Sequence, residues 1–524
     1  MLRKVKVFLA LSSAALLILA FPNFNFEFLA WVGLVPLFFA IDGKKPLQAF
    51  LLAYLAGVIF FFGTIYWLIH VTLPGMIVVV LYLALYFGLF GFLFSIYGLR
   101  IIGYWLLLFA PAAWVTLEWL RSSGMFGFGW NLLGYSQSFT LPVIQIADIT
   151  GVYGVSFLVV MVNAAIFLAI KAFKKREGHG KYLAAAALAL FACLLYGYFR
   201  LNNIFTGEPL TITVVQGNIP QEKKWDSGFR ERIIRTYEDL TKKAVKEDVD
   251  LVIWPETSVP GFLELENDLY QMVRSLALET HAPLLVGAPR EDEKISGAYY
   301  NSAYLIADDG RIVAHYDKAH LVPFGEFIPF KSALSFVNKF STMPIGDFWP
   351  GKEYTVFTLA LKRENIKDDI RRTFVKNVRF SCLICFEDIF PDLTRKFARQ
   401  GIDFLVNITN DAWFKKTNAA YQHAQCSVLR AVENRVSVVR AANTGFSCFI
   451  DQKGRITAFV EKEGERTFVP GFKTQAITLA RTGTFYKAYG DLFAYLCMAL
   501  SALCLARPLI FMLYYKRFHR TGER

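Results

Sequence analysis

The stretch Val378-Arg-Phe-Ser-Cys-Leu-Ile-Cys-Phe-Glu387 decides how this chain is read. From Val378 to Ile384 β-branched, aromatic and other apolar residues dominate, Pro391 closes the segment, and the pattern predicts a short buried strand. Cys385 stands where that strand ends, followed by Phe386, Glu387 and Asp388. A thiol at the end of a core strand, beside carboxylates and a turn, is where an α/β fold presents a nucleophile. The competing reading is a buried, inert cysteine, because free Cys is among the most buried residue types and reactivity needs an activating environment. The rest of the chain has to choose between them.

Working outward, the 524 residues are 55% hydrophobic and include 50 Phe, with a mean hydropathy of +0.38. That is too apolar for a soluble protein of this size and points to a polytopic membrane protein. Residues 1–200 are almost continuously hydrophobic, 208–485 read as a globular domain, and 490–515 are apolar again. The expected division is a transmembrane domain at 1–207, a globular domain at 208–485, and a closing transmembrane helix with a tail at 486–524. The net charge of +13 does not imply nucleic acid, since no basic run interleaved with aromatics lies in the globular part. Many Lys and Arg instead flank the hydrophobic spans, as membrane topology demands.

Seven spans are expected before the globular domain, near 6–21, 25–42, 47–70, 75–98, 101–120, 152–172 and 181–199, and an eighth near 491–514; each approaches the ~20 residues that cross a bilayer. Met1-Leu-Arg-Lys-Val-Lys6 and the apolar run behind it lack a clear cleavage site before Pro22 and read as a retained first helix. Lys44 and Lys45, Arg100, the Lys171–Lys181 cluster and the basic C-terminus all fall on one side of such an arrangement. The positive-inside rule then puts both termini in the cytoplasm and the 208–485 domain outside it. The loop 121–150, with Met125-Phe-Gly-Phe-Gly-Trp130, reads as a re-entrant or interfacial segment or as a simple aromatic anchor.

The globular part alternates strands with helices, which argues α/β with a substantial sheet. Strands are expected at Leu210–Gly217, Asp250–Trp254, Pro283–Ala288, Ser302–Ala307, Arg311–Asp317, 403–409 and 436–442, and helices at 229–247, 265–279 and 418–434. A final hairpin is expected to turn at Asp451-Gln-Lys-Gly454. The seven cysteines (193, 382, 385, 426, 448, 497, 504) have no framework spacing. Cys382 and Cys385 lie three apart in a strand and so point to opposite faces, and neither a metal nor another cofactor is expected.

Glu256, Lys318 and Cys385 each fall where a strand or its following turn ends. A carboxylate in a desolvated pocket can serve as base to a thiol, and a lysine can stabilise the resulting oxyanion. Together they could run acyl transfer through a thioester. Taken singly, Glu256 also reads as a neighbour of a helix cap after Pro255, and Lys318 as a solvated turn lysine.

At these residues the chain resembles the nitrilase-type carbon–nitrogen hydrolases, in Trp254-Pro-Glu256, in Tyr316-Asp-Lys318 through Phe324-Gly-Glu326, and in Ile384-Cys-Phe-Glu387. That resemblance implies an αββα sandwich with a Glu-Lys-Cys triad. Seven spans, an external nitrilase-like domain and a closing span narrow it to the apolipoprotein N-acyltransferase family. Val215-Gln-Gly-Asn-Ile-Pro220, Tyr300-Asn-Ser302 and Asn407-Ile-Thr-Asn-Asp-Ala-Trp-Phe414 fit as well. The resemblance implies Cys385 as nucleophile, Glu256 as general base and Lys318 as oxyanion stabiliser. Glu326, Glu387, Phe386 and Asn301 would be supporting residues, and Trp225 and Trp130 would contact lipid. Phe386 departs from the family's usual Tyr, and a packing role for the ring is expected.

The implied partners are a phospholipid acyl donor, typically phosphatidylethanolamine, a diacylated apolipoprotein N-terminus and the membrane. The implied place is the bacterial inner membrane, with a monomer expected. The stretch Phe330–Trp349, with Phe336, Phe340, Met343, Phe348 and Trp349, could be a mobile arm or a packed surface loop. A membrane-tethered amidase shares the triad but needs no more than one anchor; hydrolysis of small amides would mark it. A scaffold or transporter would need neither the intact triad nor so few intramembrane charges, of which Glu118 is the clearest.

Overall fold

The computed structural model describes residues 2–98, 103–176, 178, 180–246, 248–331, 347–367, 370–479 and 481–520. The chain divides into two compact units: Met1–Ile69, Leu73–Asn202 and Tyr489–Arg524 form one, and His70–Thr72 with Asn203–Ala488 the other.

The first unit is helical. Among the described residues four helices are long and apolar enough to cross a membrane: Pro46–Thr64, Leu73–Tyr97, Val152–Lys174 and Gly180–Asn202. Further helices at Leu2–Leu19, Tyr104–Ser122 and Leu492–Arg520 accompany them. The expected span near 25–42 is not one helix but three pieces, Glu27–Leu29, Ala30–Gly33 and Val35–Ile41. Pro36 accounts for the last break, because it has no N–H to continue a helix and favours the first turn of a new one.

The loop after helix Tyr104–Ser122 is folded into this unit, and residues 132–138 are buried. Two helix side chains hold it. Arg121 donates to the carbonyls of Phe128 (2.9 Å), Trp130 (2.8 Å) and Asn131 (3.0 Å). Glu118 accepts from the Leu133 N–H at 2.7 Å and from Trp114 at 2.9 Å. The carboxylate singled out by sequence thus has local partners, as an ionisable group in an apolar unit requires.

The second unit is α/β. Its strands are β1 (Pro209–Gln216), β2 (Leu251–Ile253), β3 (Leu284–Glu291), β4 (Tyr299–Ile306), β5 (Ile312–Asp317), β6 (Phe357–Lys367), β7 (Ile370–Ile384), β8 (Phe404–Thr409), β9 (Ser437–Ala442), β10 (Cys448–Ile450), β11 (Ile456–Phe459) and β12 (Gly471–Thr478). They form two six-stranded sheets ordered β12-β1-β2-β3-β4-β5 and β11-β10-β9-β8-β7-β6. Each sheet has a parallel centre, β1-β2-β3 in one and β7-β8-β9 in the other, with antiparallel edges. Every residue of β8 and of β9 is buried, as strands covered on both faces must be. Helices Arg230–Ala244 and Asn267–Thr280 pack Ile233, Tyr237, Leu269 and Val273 onto Val252 and Val286 of the first sheet and onto Trp254 just beyond β2.

Two further expectations are corrected. The strand expected at 378–384 is the end of β7, which starts at Ile370 and forms a long hairpin with β6. The outer part, Arg371-Arg-Thr-Phe-Val-Lys376, carries too much charge to read as a buried strand, although a hairpin needs only cross-strand pairing there. The turn at Asp451–Gly454 does join β10 to β11, but that hairpin is not the last element. β12 follows and returns to pair antiparallel with β1.

Candidate active site

All three triad candidates stand just beyond strand ends: Glu256 after β2, Lys318 after β5 and Cys385 after β7. In α/β sheets this is the edge where ligands bind, because side chains there escape the packed core while the strands fix their positions. Local backbone sharpens the placement. Cys385 has φ 57° and Thr257 has φ 45°, left-handed values that non-glycine residues adopt only where surrounding structure enforces them. Gly287 on β3 is required by the second of these turns. A Cβ there would lie 2.5 Å from the Thr257 nitrogen and 2.6 Å from the Pro255 oxygen.

Lys318 is 1% exposed. Its Nζ lies 2.8 Å from Glu326 Oε1 and 3.8 Å from Glu256 Oε1. Asn301 on β4 links the two carboxylates, donating to Glu256 Oε1 at 2.7 Å and to Glu326 Oε1 at 2.9 Å. The same asparagine's carbonyl accepts from the Lys318 N–H at 2.8 Å, so one strand residue registers the whole cluster. The second Glu326 oxygen accepts from the Val322 N–H at 2.8 Å. Burial depresses the Lys318 ammonium, but Glu326, Cys385 and Glu256 outweigh it and raise its pKa above the ordinary lysine value. Cys385 goes the same way: burial first, then Glu256, pushes its thiol well above the usual range, with Lys318 opposing. The resting site therefore holds a neutral thiol beside an ammonium, and attack requires a base to take the proton.

Glu387 ties the cysteine turn to the lysine turn. Its carboxylate accepts from the N–H groups of Ile384 (2.8 Å), Ala319 (2.8 Å) and His320 (2.9 Å), and from the Tyr316 hydroxyl at 2.9 Å. Burial pushes this carboxyl up to about 7, against those bonds and Lys318. The Phe386 ring packs 5.3 Å from Phe390 and 5.7 Å from His320, and Lys318 Nζ lies 5.5 Å from its centroid.

Two features were not foreseen from the sequence. The first is a buried polar network behind Cys385. His423 lies 2.9 Å from Asp388 and 3.0 Å from Asp411, and its Nε2 lies 3.3 Å from the Cys385 carbonyl oxygen. Asn407 donates to that same oxygen at 2.9 Å, and Arg440 donates to Asn407 at 2.8 Å and to Asp388 at 3.0 Å. The two aspartates hold His423 above its ordinary value despite burial and Arg440. The second feature is Lys224, also 1% exposed, which donates to the Glu256 carbonyl at 2.9 Å. The motif residues Asn407 and Asp411 could have led to the network; Lys224 was visible only as the neighbour of Trp225.

The two tryptophan candidates belong to different units. Trp225 is 52% exposed in the α/β unit. Trp130 is 2% exposed in the helical unit, with its ring 5.0 Å from Trp67. Of the stretch 330–349, residues 332–346, with Phe336, Phe340 and Met343, lie outside the described residues. Its ends meet through a Lys331–Asp347 pair at 2.7 Å, and the Phe348 N–H donates to the Glu326 carbonyl at 3.0 Å. Among the described residues no group of three His, Cys, Asp or Glu side chains is arranged to hold a metal.

Residues 13–165 match the model of the apolipoprotein N-acyltransferase N-terminal domain, and residues 211–482 match that of carbon-nitrogen hydrolase. The apolipoprotein N-acyltransferase of Geobacter metallireducens is 38% identical over 516 residues, covering 95% of this chain and 94% of the relative. Those of Chlorobaculum tepidum and Methylococcus capsulatus are 31% and 32% identical, each covering 95% of both chains. Among solved structures, an amidase from Nesterenkonia sp. aligns over 56% of this chain and 94% of its own, at 15% identity and a TM-score of 0.37.

Proposed function

The chain belongs to the apolipoprotein N-acyltransferase family, and we propose that its reaction runs in two half-reactions through a thioester on Cys385. The protein N-acylates apolipoproteins, and its long apolar helices make it a membrane protein. In the first half-reaction Glu256 takes the thiol proton as Cys385 Sγ attacks the sn-1 ester carbonyl of a phospholipid, typically phosphatidylethanolamine. Lys318 stabilises the tetrahedral oxyanion. Its collapse breaks the ester C–O bond, Glu256 returns the proton to the glycerol oxygen, and a lysophospholipid leaves. In the second, the α-amine of an S-diacylglyceryl-cysteine attacks the thioester and gives its proton to Glu256. The C–S bond breaks, the amide is released, and the thiol is restored.

The observation that carries this reading is the Lys318 cluster, an ammonium 2.8 Å and 3.8 Å from two carboxylates bridged by Asn301. With a thiol held neutral by burial, these are the base, cation and nucleophile that acyl transfer requires. Glu326 holds the lysine, Glu387 the cysteine turn, and Phe386 packs beside them. Trp225 and Trp130 guide lipid. The reading assigns 208–485 to a catalytic αββα domain outside the cytoplasm. It assigns 1–207 and 486–524 to eight spans in a bacterial inner membrane, with cytoplasmic termini and a monomeric protein. Both substrates carry acyl chains whose transfer to water costs about 0.8 kcal/mol per CH₂, so a site tethered at the bilayer spares that cost. A small-amide hydrolase would have no such need.

The test is intact mass spectrometry of the purified protein after incubation with phosphatidylethanolamine. A fatty-acyl adduct is expected on the wild type, removed by neutral hydroxylamine, cleared by a diacylated lipopeptide, and absent from Cys385→Ala. No adduct on the folded wild type, or an equal adduct on the variant, would overturn the mechanism.

A further inference from the structure

Lys224 follows the short helical turn Gln221–Lys223. At 1% exposure it has left the solvent that normally hydrates an ammonium. Among the described residues its one hydrogen-bond partner is the main-chain carbonyl of Glu256, at 2.9 Å. An ammonium has three N–H groups, so that bond leaves two for the site. The Glu256 carboxylate favours its charged form, as does Cys385 when ionised. A methionine of similar length would fill the same space without the desolvation penalty of a buried amine, so packing alone does not account for this side chain.

The Glu256 turn itself needs holding. Thr257, the next residue, sits at φ 45°. The turn lies so close on β3 that only a glycine fits beneath it at position 287. Strand β3 fixes the turn from one side, with the Val259 N–H donating to the Gly287 carbonyl at 3.0 Å, and Lys224 fixes it from another. The charge count points the same way. Glu256 and Glu326 bring two carboxylates to the site, Glu387, raised to about 7, adds part of a third charge, and Lys318 supplies one ammonium; Lys224 is the second.

We propose that Lys224 is a positioning residue for Glu256: it pins the strained turn that carries the base and adds a second positive charge beside the Glu256–Cys385 pair. The inference rests on the thioester reading and deepens it. Burial lowers Lys224 to about 8, with Glu256 and Cys385 opposing, so the charge is present at neutral pH and is lost just above it. Without it the cluster carries at least one excess negative charge, which disfavours moving the thiol proton and developing an oxyanion. Trp225, half exposed on the adjoining peptide, puts a lipid contact one residue from this anchor.

The test compares wild type, Lys224→Met and Lys224→Gln as full-length protein in micelles containing phosphatidylethanolamine. Time-resolved intact mass gives the rate of Cys385 acylation against pH, and thermal unfolding is followed in parallel. Lys224→Met should unfold at or above the wild-type temperature, yet acylate about 100-fold more slowly. The acid limb of its pH profile should lie about one unit higher. Lys224→Gln, which keeps a donor without the charge, should show the same shifted limb, and it takes over the comparison if the methionine variant does not fold. A purely structural lysine predicts the opposite: altered unfolding with acylation within threefold of wild type and an unmoved limb. That result would overturn the inference alone, whereas a folded wild type that forms no adduct would overturn the thioester reading beneath it.

Discussion

Replacing Glu326 with Gln tests the electrostatics of the site most directly. Glu326 is the strongest influence raising the Lys318 pKa, at 2.8 Å, and it also receives Asn301 at 2.9 Å. The amide oxygen of Gln can accept the same two bonds, while its NH₂ would face the Val322 N–H that the second Glu326 oxygen accepts, so one backbone bond is lost along with the charge. A directly opposed charge moves a neighbouring pKa by about 1–3 units. Burial acts on Lys318 in the opposite sense, so the loss should bring its pKa down by about 2 units or more.

The sign follows. In the wild type the Lys318 pair contributes stability that is complete below the ordinary lysine value of 10.5 and fades only as pH rises through the higher folded-state value. In Glu326→Gln both that stability and the oxyanion cation are lost at lower pH. Because Glu256 remains 3.8 Å away, the ammonium is not left wholly unpaired. The cost at neutral pH should therefore fall below the ~3–5 kcal/mol of breaking a buried pair outright. The assay is the pH dependence of Cys385 acylation by intact mass, with thermal unfolding alongside. We expect about tenfold slower acylation at pH 7 and an alkaline fall in the variant beyond the one that loss of the Lys224 charge above about 8 gives both proteins. An alkaline profile identical to that of the wild type would refute the assignment of Lys318 as the charged stabiliser.

Gly287→Ala should displace the Glu256 turn, since its Cβ would meet Thr257 at 2.5 Å and Pro255 at 2.6 Å. Acylation should fall about 100-fold, with unfolding showing a loss of about 1–3 kcal/mol; near-normal rates would mean that the turn tolerates movement. Arg440→Met removes the cation that faces Asp388 and Asp411, leaving those aspartates to His423, and should cost about 3–5 kcal/mol of stability in denaturant titration. Phe386→Tyr keeps the ring against Phe390 and His320 and should acylate within about threefold of wild type, whereas Phe386→Ala should lose about 3 kcal/mol. Equal unfolding stability in all three proteins would remove the packing role.

Strand ends were the most legible feature of the chain. Runs of Val, Ile, Leu and Phe located β1, β2, β3, β4, β5, β8, β9 and the end of β7 to within a few residues, and with them the positions of Glu256, Lys318 and Cys385. A buried strand declares itself through its own side chains, so local patterning suffices. Where burial and local pattern part company, the reading stopped short. The charged outer half of β7 and the whole of β12 draw their strand character from partners far along the chain. The helix expected near 25–42 was broken by a proline inside an apolar run that hydropathy alone treats as continuous.

The sequence by itself determined an apolar helical part, an α/β part and three candidate side chains at strand ends, because each rests on residues adjacent in the chain. Only the tertiary structure decided what surrounds those side chains. Asn407 and Arg440 are 33 residues apart yet face each other because parallel pairing sets them in register on β8 and β9. Lys224 reads as a surface lysine until the Glu256 turn, 32 residues away, closes over it. Patterning reports what each residue prefers; a buried charge exists only where distant elements exclude water and supply its partners, and that is fixed by packing alone.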